Sequence, residues 1–274
     1  MKFFKFCFVL TLVFFSAINS YSQTSPSLQL SFGLSFPAGG FKGDLITTND
    51  SGVSFINSDF IKKNYAASTG ASASGILKFP IEKKGIISAI VTGSYSYFNA
   101  FKRSTLAATI ENNITIPVTF DSRLSTSTFG LGIEASPFSN SRLSPFVNGS
   151  LTLNIISLTV SKNDFPSVLF NDAFRMGILV NAGVKYKLST EYSLVIGGSY
   201  HMSNLFFKTH KENFGDRIEY NRESVPINDE EGTFYSNLSN PNSAASLVSG
   251  SGKKVNWWNF NVGLNIKLGK SEKK

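Results

Sequence analysis

At 274 residues, with 16% charged side chains and a formal net charge of +8, the chain has too few charges to cover a soluble surface in the ordinary way, where roughly a quarter of residues are charged. Its 26 Phe, 9 Tyr and 2 Trp suit an exterior that meets lipid and headgroups. The basic residues are scattered, with no basic helix and no dense run before the final Ser-Glu-Lys-Lys, which counts against nucleic acid as a partner.

In chain order, residues 1–22 read as a secretory signal peptide. Lys2 and Lys5 form the basic start, Phe6 to Ala17 the apolar run, and Ser20 and Ser22 the small residues before a cleavage site. The apolar run falls short of the roughly 20 residues that span a bilayer, so cleavage is favoured over an anchor. Residues 23–274 are then one domain. Cys7 lies inside the signal without the small residues that precede a lipid-modified cysteine, so the mature chain is expected to have no thiol and no disulfide.

Beyond the signal no apolar run approaches the roughly 18 residues of a membrane helix; strict alternation recurs instead. Leu28, Leu30, Phe32, Leu34 and Phe36 oppose Gln29, Ser31, Gly33 and Ser35, the period of a strand with one apolar face. A polar loop, Ala38 to Tyr65, follows. Residues 66–79 set Ala71, Ala73, Leu77 and Phe79 against Ser72, Ser74 and Lys78, and a turn near Pro80 to Lys84 leads to Ile87, Ala89, Val91, Tyr95 and Tyr97 against Ser88, Thr92, Ser94 and Ser96, with Ile90 intruding on the polar side. After a loop at Ser104 to Pro117 come Phe129, Leu131, Ile133 and Ala135 against Thr128, Gly130, Gly132 and Glu134, then a turn at Pro137 to Ser144. Leu151, Leu153 and Ile155 alternate with Asn148, Ser150, Thr152 and Asn154, and Ser161 to Asp172 is a further loop. Met176, Ile178, Val180, Val184 and Tyr186 oppose Arg175, Gly177, Asn181, Gly183, Lys185 and Lys187; beyond a turn at Ser189 to Glu191, Tyr192, Leu194, Ile196, Tyr200 and Met202 oppose Ser193, Gly197, Ser199, His201 and Ser203. The longest loop, Lys208 to Lys254, precedes Trp258, Phe260, Val262, Leu264, Ile266 and Leu268 against Asn259, Asn261, Gly263, Asn265 and Lys267.

Eight such segments, joined alternately by short turns and long loops, predict an all-β fold: an eight-stranded antiparallel up-and-down transmembrane β-barrel with short periplasmic turns, long external loops and both termini in the periplasm. Alternation alone fits a soluble barrel as well. The polar face is built from Ser, Thr, Asn and Gly, which fit the narrow bore of an eight-stranded barrel, whereas a water-facing exterior would carry more Lys and Glu, so the apolar face is expected outside. Trp257 and Trp258 at the external end, and Tyr186 and Tyr192 at a periplasmic turn, are expected as lipid-interface aromatics. Lys78, Glu134, Lys185, Lys187 and Lys267 share the inward parity near the periplasmic end. They form either a lumenal charge cluster in which Glu134 pairs with lysines, or a solvated basic mouth.

The signal ending in Ser-Gln, the opening Leu-Gln-Leu-Ser-Phe-Gly-Leu-Ser-Phe-Pro and the closing Asn-Phe-Asn-Val-Gly-Leu-Asn-Ile-Lys-Leu resemble the small outer-membrane β-barrel proteins of Bacteroidota-type bacteria, the PorT-like group related in architecture to the OmpA membrane domain and OmpX. The resemblance covers the mature chain and rests on pattern. It implies residence in the outer membrane and insertion by the outer-membrane assembly machinery, which reads the final strand. Gly269 to Lys274 extend past that strand, where many such proteins end on an aromatic.

Chemistry is sparse. His201 and His210 are the two histidines; with Ser199, Ser203 or Asp216 they would make a hydrolase-like group, which no local motif supports. No Cys or His pair stands at metal-ligand spacing, and Asn228 to Glu231 matches no calcium loop. No catalytic residue, metal or cofactor is expected. The leading expectation is a non-enzymatic role in which the external loops meet a protein partner, outer-membrane lipids or lipopolysaccharide. Small-solute passage through the lumen, an accessory place in a secretion or assembly machinery, and a lipid-modifying enzyme are the alternatives.

Overall fold

The computed structural model describes residues 25–38, 45–48, 54–57, 68–98, 105–111, 114–139, 141–162, 168–169, 172–206, 233–235, 247–249 and 254–268. Residues 1–22, expected to be a signal peptide and including Cys7, as well as His210, Asp216 and residues 228–231, lie outside the described residues. Eight long strands form the body: β1 (Ser27–Ala38), β2 (Gly70–Pro80), β3 (Ile87–Tyr97), β4 (Ile114–Ala135), β5 (Leu143–Lys162), β6 (Ala173–Lys187), β7 (Tyr192–Phe206) and β8 (Asn256–Lys267). Each pairs antiparallel with its neighbour in sequence, and β8 pairs with β1, from Ser27↔Lys267 to Ala38↔Asn256, so the sheet closes on itself. Closure leaves no open edge in the ring.

Stepping through register partners from Val184 to Ile196, Val262, Phe32, Ala73, Tyr95, Ser127 and Ile155 returns to β6 at Phe174, ten residues from the start. For eight strands that stagger corresponds to a tilt of roughly 40–45° and a bore that side chains fill. Gly132 and Gly263 show how tight the wall is. A Cβ on Gly132 would overlap the Gly149 carbonyl and Ser150 Oγ, and one on Gly263 would overlap the Leu30 carbonyl and Ser31 Oγ. In the turn after β2, Gly85 adopts φ 65°, a conformation that costs glycine nothing.

The polar faces point inward. Gln29, Ser31, Ser35, Thr92, Ser96, Asn148, Thr152, Asn154 and Asn259 are buried, while Phe32 (71% exposed), Leu151 (61%) and Phe260 (60%) stand outside. Ile90, on the polar parity, is buried in the lumen.

Two expected loops are corrected. Thr105–Glu111 is a strand that pairs with Ile114–Phe120 of β4, and β5 continues to Lys162, where Thr159 and Val160 pair with Val168–Leu169. Leu106, Ala108 and Ile110, like Ile114, Ile116 and Val118, keep the strand period, and their threonine neighbours are themselves β-formers. In β7, the four-residue step from Met202 to Phe206 matches a two-residue step of β6 from Ile178 to Met176. This bulge turns both Ser203 and Asn204 inward, where Ser203 N and Oγ donate to the Val255 carbonyl at 3.0 and 2.7 Å and Val255 N donates to Asn204 Oδ1 at 2.8 Å. The entry to β8 is pinned there. Short pairs Leu45–Thr48 with Ser54–Asn57 and Thr233–Tyr235 with Leu247–Ser249 stand apart from the ring.

Leu151 lies midway along the apolar belt. Leu151→Arg is expected to lower folding stability in lipid vesicles by about 2–4 kcal/mol, read as a shift of the denaturant midpoint, whereas Leu151→Phe leaves it nearly unchanged.

Candidate functional site

The turn-side end of the lumen is closed by an ion cluster. Inward parity brings Lys78 (β2), Glu134 (β4) and Lys185 (β6) to one level. Lys78 Nζ donates to Glu134 Oε2 at 2.7 Å and to Gln29 Oε1 at 2.7 Å, and Lys185 Nζ donates to Glu134 Oε1 at 2.5 Å. Asn148 Nδ2 adds a bond to Oε2 at 3.3 Å. Both carboxylate oxygens are therefore occupied by charge-assisted donors, which a buried carboxylate needs in place of water. The Phe146 ring lies with each lysine nitrogen 5.0 Å from its centroid, a cation–π arrangement that shares the second positive charge.

Lys187 and Lys267 do not join this cluster: both are exposed at the end of their strands. Parity is right for them, but depth is not, since each lies past the last residues that wall the bore.

At the opposite end an aromatic layer closes the lumen. Trp257 is fully buried, stacked on the His201 ring (centroids 4.5 Å, 16° between planes) and edge-on to Phe98 (5.7 Å, 80°). This corrects the expected interface position of Trp257. Adjacent residues of a strand point to opposite faces, so only Trp258 of the two is outside, 45% exposed and 4.4 Å from the Tyr200 ring. Tyr192 is 43% exposed, and Tyr186 is half-buried on the wall with the Arg142 guanidinium 5.0 Å above its ring.

Asn259 organises the layer. Ser35 Oγ donates to its Oδ1 at 2.7 Å, which leaves Nδ2 to donate to His201 Nε2 at 3.1 Å. Nε2 is thus an acceptor and the ring proton sits on Nδ1, which has no hydrogen-bond partner among the described residues. Ser199 Oγ lies 3.2 Å from the same Nε2. A serine beside an accepting imidazole is half of a hydrolase site, but a dyad sealed under Trp257 is closed to substrate, and Ser203 spends its hydroxyl on Val255. Ser94 Oγ, Thr126 Oγ1 and Ser150 Oγ are also buried on the inner wall, without a partner among the described residues.

Gln29, Asn148, Phe146, Phe98 and Asn259 belong to these layers and were not singled out from the sequence as site residues. For Phe146 the missed signal was the alternation itself, which runs on to Leu143.

No protein-family model matches the chain, and no curated relative matches it. Among solved structures it is similar to Neisserial surface protein A (12% identity, 89% of this chain and 97% of that one, TM-score 0.46). It is also similar to a major outer membrane protein from Thermus thermophilus (9%, 89% and 100%, 0.45) and to the outer membrane protein OprG from Pseudomonas aeruginosa (7%, 91% and 99%, 0.44). Function rests on the chain's own residues.

Glu134→Gln would leave two lysines facing one neutral amide. It is expected to destabilise the folded barrel by about 3–5 kcal/mol, while Lys187→Ala and Lys267→Ala stay within about 0.5 kcal/mol of wild type, all read from urea titrations in detergent micelles.

Proposed function

We propose that the chain is a bacterial integral outer-membrane β-barrel protein, exported by its N-terminal signal, with a non-enzymatic, structural and interaction role carried by its long loops. The observation that carries this reading is the inverted surface: large apolar side chains on the outside of the ring and hydrogen-bonded polar ones within. A water-soluble monomer rarely exposes an apolar patch beyond a few hundred Å², whereas here the patch runs round the ring. From Trp258 to Leu268 the outward apolar run of β8, tilted as above, spans about 25 Å along the barrel axis, the height of the apolar band of outer-membrane barrels. Trp258 and Tyr200 at one margin, with Tyr186 and Tyr192 at the other, occupy the two interfacial girdles.

The sealed Ser199–His201 pair favours the non-enzymatic reading. Long β4 and β5, with the added Thr105–Glu111 strand, carry the ladder well beyond the 9–11 residues that a membrane strand needs, so the loop end projects a rigid sheet on which a protein partner or lipopolysaccharide would be met. Small-solute transport is the second reading, favoured by the partnerless hydroxyls of the inner wall and opposed by the closed layers at both ends. Kinship with the PorT-like group, an accessory place in a secretion or assembly machinery, and insertion by machinery that reads β8 follow from the strand sequences as further parts of the proposal.

Two measurements check this. The protein is expected in the outer-membrane fraction, soluble only in detergent, with a gel mobility that changes on boiling; recovery of a detergent-free soluble form overturns the membrane reading. In planar bilayers wild type is expected to give no steady pore-sized current, and a sustained one would move the function to transport.

A further inference from the structure

The rim formed by the three turns and the end of β8 has an unusual composition. Ile81, Phe138, Leu143 and Leu188 are 49%, 59%, 58% and 58% exposed, and Leu268 is 41% exposed. Beside them stand the exposed cations Lys83, Lys84, Arg142, Lys187 and Lys267. Turns that project into water have no reason to expose Ile, Phe and Leu. Turns at the boundary between hydrocarbon and headgroups do, because the apolar side chain dips into acyl chains while its basic neighbour meets phosphate.

The rim is also uncompensated. Its carboxylates among the described residues are Glu82 and Glu191, and Glu82 Oε1 already accepts Ile86 N and Ile87 N at 3.0 and 3.2 Å. None of the five cations has a carboxylate within ion-pairing distance among the described residues. Two of them are built into a pair. Lys187 N donates to the Arg142 carbonyl at 2.8 Å, so the two side chains start from facing positions on adjacent strands, and Arg142 is laid over the Tyr186 ring at 5.0 Å. That position over the ring leaves the guanidinium donors, which take no protein acceptor among the described residues, free for two oxygens of one phosphate.

We infer that this rim is a docking surface for anionic phospholipid of the turn-side leaflet, with Arg142 and Lys187 gripping one phosphate against Tyr186. The inference rests on the membrane reading above and adds a lipid class to it. Charge complementarity and continuity with the apolar belt select lipid as the occupant.

The test uses the full processed chain in vesicles of phosphatidylcholine with spin-labelled phosphatidylglycerol or spin-labelled phosphatidylcholine as probe, read by electron spin resonance. Wild type is expected to prefer the anionic probe several-fold, the preference falling as salt rises. Arg142→Gln with Lys187→Gln should remove most of it, since each basic residue near an anionic surface is worth about fivefold, while Lys254→Gln at the other end leaves it intact. Equal association of both probes with wild type overturns the inference, as does a preference that survives the rim variant or falls with Lys254→Gln. Binding of soluble peptidoglycan fragments without lipid preference overturns it too. A chain that does not enter neutral vesicles at all overturns the membrane reading itself, which separates the two failures.

Discussion

Eight strands staggered by ten residues enclose a bore wide enough for side chains and little else, and that limit governs the rest of the molecule. The backbone ladder closes on itself round the ring, with a register shift at the bulge of β7, so the wall has no open edge to cover. Every inward side chain, however, must be small or must find its partners inside. Glycines therefore sit where strand walls approach, as at Gly132 and Gly263, and polar residues are knitted together along the inner wall, as where Asn154 Nδ2 donates to the Ser203 carbonyl at 2.9 Å and Thr128 Oγ1 to Asn154 Oδ1 at 2.8 Å. Most large apolar groups are left to the outside, and the few inside, such as Trp257, Phe98 and Phe146, serve to close the ends.

The two ends of the bore meet this limit by different physics. At the turn end a carboxylate shared by two lysines closes the lumen, and the desolvation of three charges is offset by the donors of Lys78, Lys185 and Asn148 on one carboxylate and by the Phe146 ring. At the loop end the stack of His201, Trp257 and Phe98 fills the same cross-section with area in place of charge. The charge cluster thus closes the end beside the short turns, and the aromatic layer, held by the Asn259 hydrogen bonds to Ser35 and His201, closes the end below the loops.

Most of the fold was legible because a period of two is the signature of a strand with one buried face. All eight ring strands could be placed, together with the side that most of their alternating residues take, down to Ile90 on the polar parity. Loss began at the strand ends. β4 and β5 run on past the bilayer-sized segment with threonine-rich alternation that resembles polar loop, and Phe146 lay just before the residue where β5 was expected to begin. The tryptophan pair shows a different failure. Composition places both Trp257 and Trp258 at an interface, yet neighbouring residues cannot share a face, and the period that located the strand already required one of them to be inside. The bulge at Ser203 and Asn204 left no sequence mark, since two small polar residues in succession are ordinary in a strand end.

Lysine placement shows how depth decides what parity cannot. Lys185 and Lys187 lie on one face of β6, two residues apart, a step of about 5 Å along the axis of a tilted barrel. Lys185 still lies within the wall, where Glu134 stands 2.5 Å away and solvent is excluded, so the attraction is screened little. Lys187 has left the bore, and Glu134 has no oxygen to spare for it because Lys78 and Lys185 hold both. At that level ions in solution damp a charge's pull over about 8 Å, so the buried carboxylate, already paired, holds the side chain weakly and it is left exposed, on the strand end that faces Arg142. One face of one strand therefore supplies a cation to seal the lumen and, a single pleat further on, another to the exposed rim.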